Sequence, residues 1–349
     1  MERKKLRVGI AGYGIVGKRR RYYIDQHPRL QTVAVCDQNF DESGMFPDGV
    51  LFFSHYRQLI EVPLDVLFVS LPNYLAAEVT IEGLEHGMHV FCEKPPGRTV
   101  SDIRNVIEVE RKHQGQLLKY GFNHRYHDSV RKSLEIIKSG EMGEIVNLRG
   151  VYGKSKIIQF SGGWRAERRY AGGGILLDQG IHMVDLIRLF CGEFVEVKSY
   201  ISNSYWHHDV EDNAYALMRD SEGRVAMLHS TATQWQHRFR LDIALTEGYL
   251  ELQGILSGSK SYGEERLNIG WRDEAQVGTT KEETITYLED NSWGEEVNEF
   301  ADAIDNGTSI QSGNSMDALK TMELVYKIYC SDREWRDTYQ IECPDRITP

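Results

Sequence analysis

The chain has 349 residues, enough for two domains and a sizeable core, and its 41% hydrophobic and 27% charged residues exclude a fibrous or disordered protein. A net charge of −11 sets up a field that repels phosphates, which argues against nucleic acid or a membrane surface as partner, and no apolar run reaches the length of a membrane span. The five cysteines (Cys36, Cys92, Cys191, Cys330, Cys343) are odd in number and scattered, so neither a disulfide framework nor a thiolate metal site is expected, and a reducing cytoplasm is the natural compartment.

The apolar run Leu6, Val8, Ile10 predicts a first strand, and Gly12-Tyr13-Gly14-Ile15-Val16-Gly17 leads from it into a charged helix. In that context Gly12 permits the tight turn, Gly14 lets backbone approach a pyrophosphate, and Gly17 lets helix and strand pack closely. A second strand, 32–36, ends in Asp37, twenty residues past Gly17. An acid there accepts hydrogen bonds from ribose hydroxyls and repels a 2′-phosphate, and Gln38, Asn39 and Phe40 offer no arginine, so NAD is expected rather than NADP. Residues 64–71 read as a buried parallel strand that delivers Leu71, Pro72 and Asn73 toward the cofactor. A helix over 76–86 follows, then a strand over 88–92 that ends in Glu93-Lys94-Pro95-Pro96. A helix over 100–113 and a strand over 117–122 complete a doubly wound parallel unit.

From residue 123 the pattern changes. After a helix over 129–139, alternating strands are predicted over 145–152, 195–202, 214–219, 225–233 and 240–252, with turns at 220–223 and 246–248 separating antiparallel neighbours. Helices over 293–305 and 315–331 close the chain, the latter capped by Asn314 and Ser315. The expected division is therefore 1–122 and 123–349, with C-terminal helices free to pack back on the first domain.

Taken together, GYGIVG with Asp37, Glu93-Lys94-Pro95, Gly121-Phe122-Asn123-His124-Arg125, and the segment 172–185 (GGGILLDQGIHMVD) resemble the glucose-fructose oxidoreductase, inositol dehydrogenase and rhizopine-catabolism (Gfo/Idh/MocA) family over essentially the whole chain. The resemblance implies an N-terminal Rossmann domain, a C-terminal α/β domain with a large open, mainly antiparallel sheet, and a homodimer or homotetramer formed through that sheet. It also implies Lys94, Asp178 and His182 as catalytic residues. Two local departures are Tyr74-Leu75-Ala76-Ala77, where many relatives carry a histidine, and the second proline, Pro96.

Those three residue types suit oxidation of a secondary alcohol: a neutral imidazole (His182) takes the hydroxyl proton, Asp178, four residues earlier on a helix, orients the ring or contacts a neighbouring substrate hydroxyl, and Lys94 stabilises alkoxide character. Asn123, His124 and Arg125 open the second domain where the resemblance places groups facing the cleft, and Asn123, Arg125, Trp164 and Arg165 are candidate substrate contacts, with Arg165, Arg168 and Arg169 suited to an anionic sugar substituent. His207 and His208 are adjacent on an extended segment and point to opposite faces, so no metal is assigned to them with Asp209 and Glu211. Residues 234–238 (QWQHR) could line a sugar cleft or lie on the sheet surface. The expected function is an NAD-dependent oxidoreductase acting on a secondary hydroxyl or ketone of a sugar, cyclitol, sugar phosphate or nucleotide sugar. An NAD-using glycoside hydrolase, a non-catalytic sensor and a tightly held NADP enzyme are the alternatives, the last opposed by Asp37.

Overall fold

The structure, a computed structural model, describes residues 4–158, 162–257, 261–273 and 278–344. They divide into two compact units: Met1–Phe122 with Arg169–Gly172 and Trp293–Lys320, and Asn123–Arg168 with Gly173–Ser292 and Thr321–Pro349. The α-helices in chain order are α1 (Ile15–Gln26), α2 (Tyr56–Ile60), α3 (Asn73–Glu85), α4 (Val100–Glu110), α5 (Asp128–Ser139), α6 (Arg168–Ala171), α7 (Ile181–Cys191), α8 (Ser292–Asn306), α9 (Ser315–Ser331) and α10 (Arg333–Tyr339). Among the described residues no helix is long and apolar enough to cross a membrane.

The first unit is built on strands β1 (Leu6–Ala11), β2 (Leu30–Cys36), β3 (Gly44–Met45), β4 (Leu51–Phe53), β5 (Val66–Val69), β6 (His89–Glu93) and β7 (Leu118–Gly121). Their order is β3-β4-β2-β1-β5-β6-β7, parallel throughout except for the pair β3 and β4. All four β5 residues are buried, as expected of a strand covered on both faces. Val8, Ile10, Phe68 and Phe91 share a core with Val297 and Phe300 of α8, so part of the C-terminal chain completes this core. The strand order reverses between β1 and β5, so the loops leaving their C-terminal ends flank the crevice where such sheets bind ligands.

The second unit carries β8 (Ile145–Ser155), β9 (Phe194–Ser202), β10 (Asn213–Asp220), β11 (Val225–Gln234), β12 (Arg238–Leu245), β13 (Gly248–Gln253), β14 (Glu265–Arg272) and β15 (Thr280–Tyr287), in the order β15-β14-β13-β12-β8-β11-β10-β9. Every pairing is antiparallel except β8 with β11. The expected antiparallel pairing of 225–233 with 240–252 is thus corrected, because β8 lies between β11 and β12. The latter stretch is also two strands, folded on each other at the Thr246 turn. One sheet face packs on α7, where a Cβ on Gly150 would come within 2.6 Å of Met183 Sδ, so glycine sets how closely helix and sheet approach. The other face exposes apolar side chains, among them Tyr200, Tyr215, Leu217 and Met227.

A second correction concerns the cysteines: Cys330 and Cys343 form a disulfide across 13 residues, spanning α10, while Cys36, Cys92 and Cys191 are free and buried.

Candidate functional site

In the first unit the glycine loop has the geometry that its sequence requires. Gly12 has φ +91°, and a Cβ there would lie 2.3 Å from the Ser70 carbonyl; one on Gly17 would lie 2.0 Å from the Gly12 carbonyl. Neither position accepts a side chain, whereas a Cβ on Gly14 would meet nothing within 4 Å, leaving that side of the loop open. Gly14 is also the N-cap of α1, no side chain caps the helix, and Ile15 and Val16 are exposed on its first turn. Uncapped amides beside an open glycine face suit a pyrophosphate. Asp37 leaves β2 against this loop: its carboxylate accepts the Tyr13 N–H at 2.9 Å and the Asn39 N–H at 3.0 Å. Arg21, beside the Tyr13 ring, donates to the Tyr13 hydroxyl at 2.8 Å and pairs with Asp25 and Asp48. The residues present therefore fit a dinucleotide with an unphosphorylated ribose. Leu71 and Pro72 are half-buried at the end of the β5 segment, and Asn73 is buried, its Nδ2 donating to the Ala171 carbonyl at 2.7 Å.

β6 ends at Glu93, and Lys94 follows half-buried, with a cis peptide to Pro95. Glu93 is gripped from behind by Arg20 of α1, whose Nε lies 2.5 Å from Glu93 Oε1 and whose Nη2 lies 2.6 Å from Glu296 of α8. The guanidinium is fully buried between the Phe91 and Trp293 rings, each 4.3 Å away. Burial pushes the Glu296 carboxyl up to about 7 even with Arg20 and Lys119 nearby.

In the second unit the segment 173–182 is held by Glu211. This buried carboxylate accepts the Gly174 N–H at 2.7 Å, the Leu176 N–H at 3.0 Å and the Tyr329 hydroxyl at 2.6 Å, with Arg168 Nη2 at 3.8 Å. Gly173 and Gly174 allow that approach, since a Cβ on them would lie 2.3 Å from the Tyr329 hydroxyl and 2.1 Å from the Glu211 carbonyl. Leu176–Gly180 then forms a turn of π-helix before α7 begins at Ile181. The α-helical i,i+4 relation expected for Asp178 and His182 is corrected accordingly: a wider turn separates them, of a kind that recurs at functional sites. Asp178 is half-buried with Arg165 Nε 3.9 Å away, and Arg165 lies over the Trp164 ring at 4.3 Å.

His182 is 5% exposed and stacks flat on His124, ring centroids 3.7 Å apart and planes 11° from parallel. His124 lies in a 3-10 turn, Asn123–Tyr126, with its Nδ1 3.2 Å from Asn123 Oδ1 and its Nε2 3.2 Å from the Tyr152 hydroxyl. Tyr152 packs edge-on against Tyr262, whose hydroxyl donates to Gln179 Oε1 at 3.0 Å, so the tyrosine pair reaches the π-turn. Burial holds both phenols well above their ordinary range, so both keep their protons. His237 packs edge-on against Tyr262, which brings one residue of 234–238 to this cluster, while Trp235 is exposed with Lys156 over its ring.

Other candidates fall elsewhere. Arg125 is buried and forms a two-pronged pair with Asp185, both contacts 2.7 Å, so it holds α7 from behind. Arg168 N donates to Asp209, and the Arg169 guanidinium covers Tyr170. The sequence reading missed Arg20, Glu211, Tyr152 and Tyr262. A buried arginine cannot be told in the sequence from its half-buried neighbours Arg19 and Arg21, and Glu211 stood out only beside His207, His208 and Asp209, as a metal set that was not assigned.

Residues 6–122 match the oxidoreductase family with an NAD-binding Rossmann fold, and residues 130–251 match the Gfo/Idh/MocA C-terminal domain. The D-glucoside 3-dehydrogenase of Escherichia coli is 32% identical over 215 residues, 59% of each chain, and the levoglucosan dehydrogenase of Pseudarthrobacter phenanthrenivorans is 27% identical over 222 residues, 57% of this chain and 54% of that one. The matched stretch thus spans somewhat over half the length of these curated relatives. The fold agrees with that of a levoglucosan dehydrogenase solved with NADH (TM-score 0.83, 21% identity, 95% of this chain and 98% of the other). Two family domains in succession, over the glycine cradle and over the segment bearing Asp178 and His182, establish that the chain belongs to the Gfo/Idh/MocA family of oxidoreductases.

Proposed function

We propose that the protein is an NAD-dependent oxidoreductase of carbohydrates, moving a hydride between a secondary alcohol or ketone of a sugar or cyclitol and the cofactor. The observation that carries this reading is the pairing, in one chain of this family, of a dinucleotide cradle closed by Asp37 with a buried imidazole, His182, that follows Asp178 by four residues. Relatives named for D-glucoside, levoglucosan and inositol oxidation support the substrate class.

Gly12, Tyr13, Gly14, Ile15, Val16 and Gly17 hold the pyrophosphate, Asp37 the adenosine ribose, and Leu71, Pro72, Asn73 and Glu93 shape the rest of the cofactor site. When bound, NAD supplies the hydride acceptor at nicotinamide C4. His182 removes the hydroxyl proton, Asp178 orders the site as a carboxylate, and Lys94 hydrogen-bonds the reacting oxygen. Asn123, Trp164 and Arg165 contact the sugar, and Arg125 supports the site through Asp185. Residues 1–122 serve as the cofactor domain, and 123–349 as the substrate and assembly domain. The exposed apolar face of β9, β10 and β11 supports a homodimer or homotetramer formed through the second sheet.

The test is NAD reduction followed by absorbance with methyl D-glucoside, levoglucosan, myo-inositol and glucose 6-phosphate, using His182→Ala as control. Turnover of one of these, lost in the variant, supports the reading. Bound NAD with sugar cleavage but no net reduction would instead establish a hydrolase, and binding without either reaction a sensor. Light scattering tests the assembly: a monomer at micromolar concentration would rule it out.

A further inference from the structure

We infer that His124 is a positioning residue for His182: its imidazole, fixed by a one-way hydrogen-bond chain, is a flat platform that sets the ring plane of the base. This rests on the reading of His182 as the base. The chain starts at Asp290, whose Oδ1 accepts the Ser292 hydroxyl proton at 2.6 Å. With that proton committed, Ser292 Oγ accepts from Asn123 Nδ2 at 3.2 Å, which turns Asn123 Oδ1 toward His124. An amide oxygen only accepts, so His124 Nδ1 carries a proton, and in the neutral ring Nε2 is left to accept from the Tyr152 hydroxyl. Both ends of the His124 ring are thereby held.

The stack decides what such a ring can do. Imidazole protons and lone pairs lie in the ring plane, and these two planes are 11° from parallel at 3.7 Å, so no proton passes directly between the rings. His124 is therefore no relay. What a flat neighbour does is hinder rotation of His182 about its Cβ–Cγ bond, which would swing the accepting nitrogen away from a substrate hydroxyl; a misplacement of about 1 Å is worth roughly 100-fold in rate. Phe239 and His127 meet the His124 ring edge-on at 5.9 and 5.4 Å, and so keep the platform itself from turning.

The test compares His124→Ala, which removes the platform, with His124→Phe, which keeps a flat ring and removes both nitrogens. Rates are measured with NAD and the four-sugar panel, NADH affinity by fluorescence, and the His182 ring protons by NMR, assigned by their loss in His182→Ala. His124→Ala should lower kcat roughly 10- to 100-fold with the KM for NAD and the NADH affinity unchanged, and should remove the upfield shielding of His182 by the stacked ring. His124→Phe should recover part of kcat, remaining several-fold below wild type because both ring hydrogen bonds are lost, and should keep that shielding. A wild-type kcat in His124→Ala, or a His124→Phe as slow as His124→Ala, overturns the inference. Should the alanine variant fail to fold, Tyr152→Phe frees His124 Nε2 without opening a large cavity: kcat should fall several-fold with KM unmoved, and an unchanged kcat overturns the role. An active His182→Ala, or no turnover of any panel sugar, defeats the reading of the base instead; in that case His182 shielding that is lost in His124→Ala still upholds the platform, and unshielded His182 in the wild type overturns it.

Discussion

Arg20 binds Glu93 through Nε at 2.5 Å, and so ties the first turns of α1, which follow the glycine loop, to the strand end that carries Lys94. Its other arm holds Glu296 from 276 residues away. Replacing Arg20 by methionine keeps volume in the slot between Phe91 and Trp293 but leaves the buried Glu296 and the half-buried Glu93 without their shared cation. Removal of one partner of a buried pair costs about 3–5 kcal/mol, so at pH 8 Arg20→Met should show that loss in urea unfolding and a fall in kcat beyond what the stability loss explains. A variant of wild-type stability would show the clamp to be dispensable.

Glu296 gives the same cluster a pH dependence. Its carboxyl lies at about 7 in the folded protein, raised by burial from 4.5 in an unstructured chain. Below about pH 4.5 folded and unfolded forms both hold the proton and the group's contribution is fully present; between 4.5 and 7 only the unfolded form releases it, so stability falls as pH rises and the loss is complete above the folded value. The shift corresponds to about 3 kcal/mol at most. Glu296→Gln cannot ionise, so the difference between variant and wild type in urea unfolding should grow in the variant's favour from pH 5 to pH 8. Parallel curves would show that Glu296 does not titrate in that window.

The geometry of the glycine loop was legible in the sequence because it is local: Gly12, Gly14 and Gly17 lie within six residues, and Asp37 follows one helix later. The Lys94 strand end and the Asp178–His182 segment were legible as motifs. Their supports were not. Arg20 and Glu296 are distant in sequence, His124 stands out beside Asn123 but its stack on His182 is made by the fold, and the π-turn at 176–180 has no distinct apolar period. β15 escaped notice because Thr280–Tyr287 has no fully buried residue, as befits an edge strand with charged side chains. The disulfide was missed because an odd, scattered cysteine set does not reveal which two meet.

Asp37 should decide between cofactors. Its carboxylate stands beside Tyr13 N–H at the glycine loop, and hydrogen bonds to a charged group contribute about 1.5–3 kcal/mol each. Asp37→Ser should therefore raise the KM for NAD roughly 10- to 100-fold while changing kcat little, and pairing it with Gln38→Arg should bring NADP into use. Steady-state kinetics with both cofactors measure this, and unchanged NAD preference in the double variant would place ribose recognition elsewhere.

Glu211 offers the sharpest separation of structure from chemistry in the second unit, because its carboxylate holds the segment bearing Asp178 and His182 by the Gly174 and Leu176 amides, beside its contacts to Tyr329 and Arg168. Glu211→Gln retains shape but has one acceptor oxygen where the carboxylate has two, so one of the Gly174 and Leu176 amides loses its partner or meets an N–H instead. An unmet buried donor costs about 1–3 kcal/mol, and slack in this turn moves Asp178 before it moves α7, which is held independently by Arg125 on Asp185. The expected result is a melting temperature lowered by several degrees, NADH affinity unchanged, and kcat reduced roughly tenfold or more. Tyr329→Phe removes only the third contact and should lose stability with a much smaller fall in kcat. If both variants lose stability and kcat in the same proportion, Glu211 supports the fold alone and the geometry of the turn is set by α7.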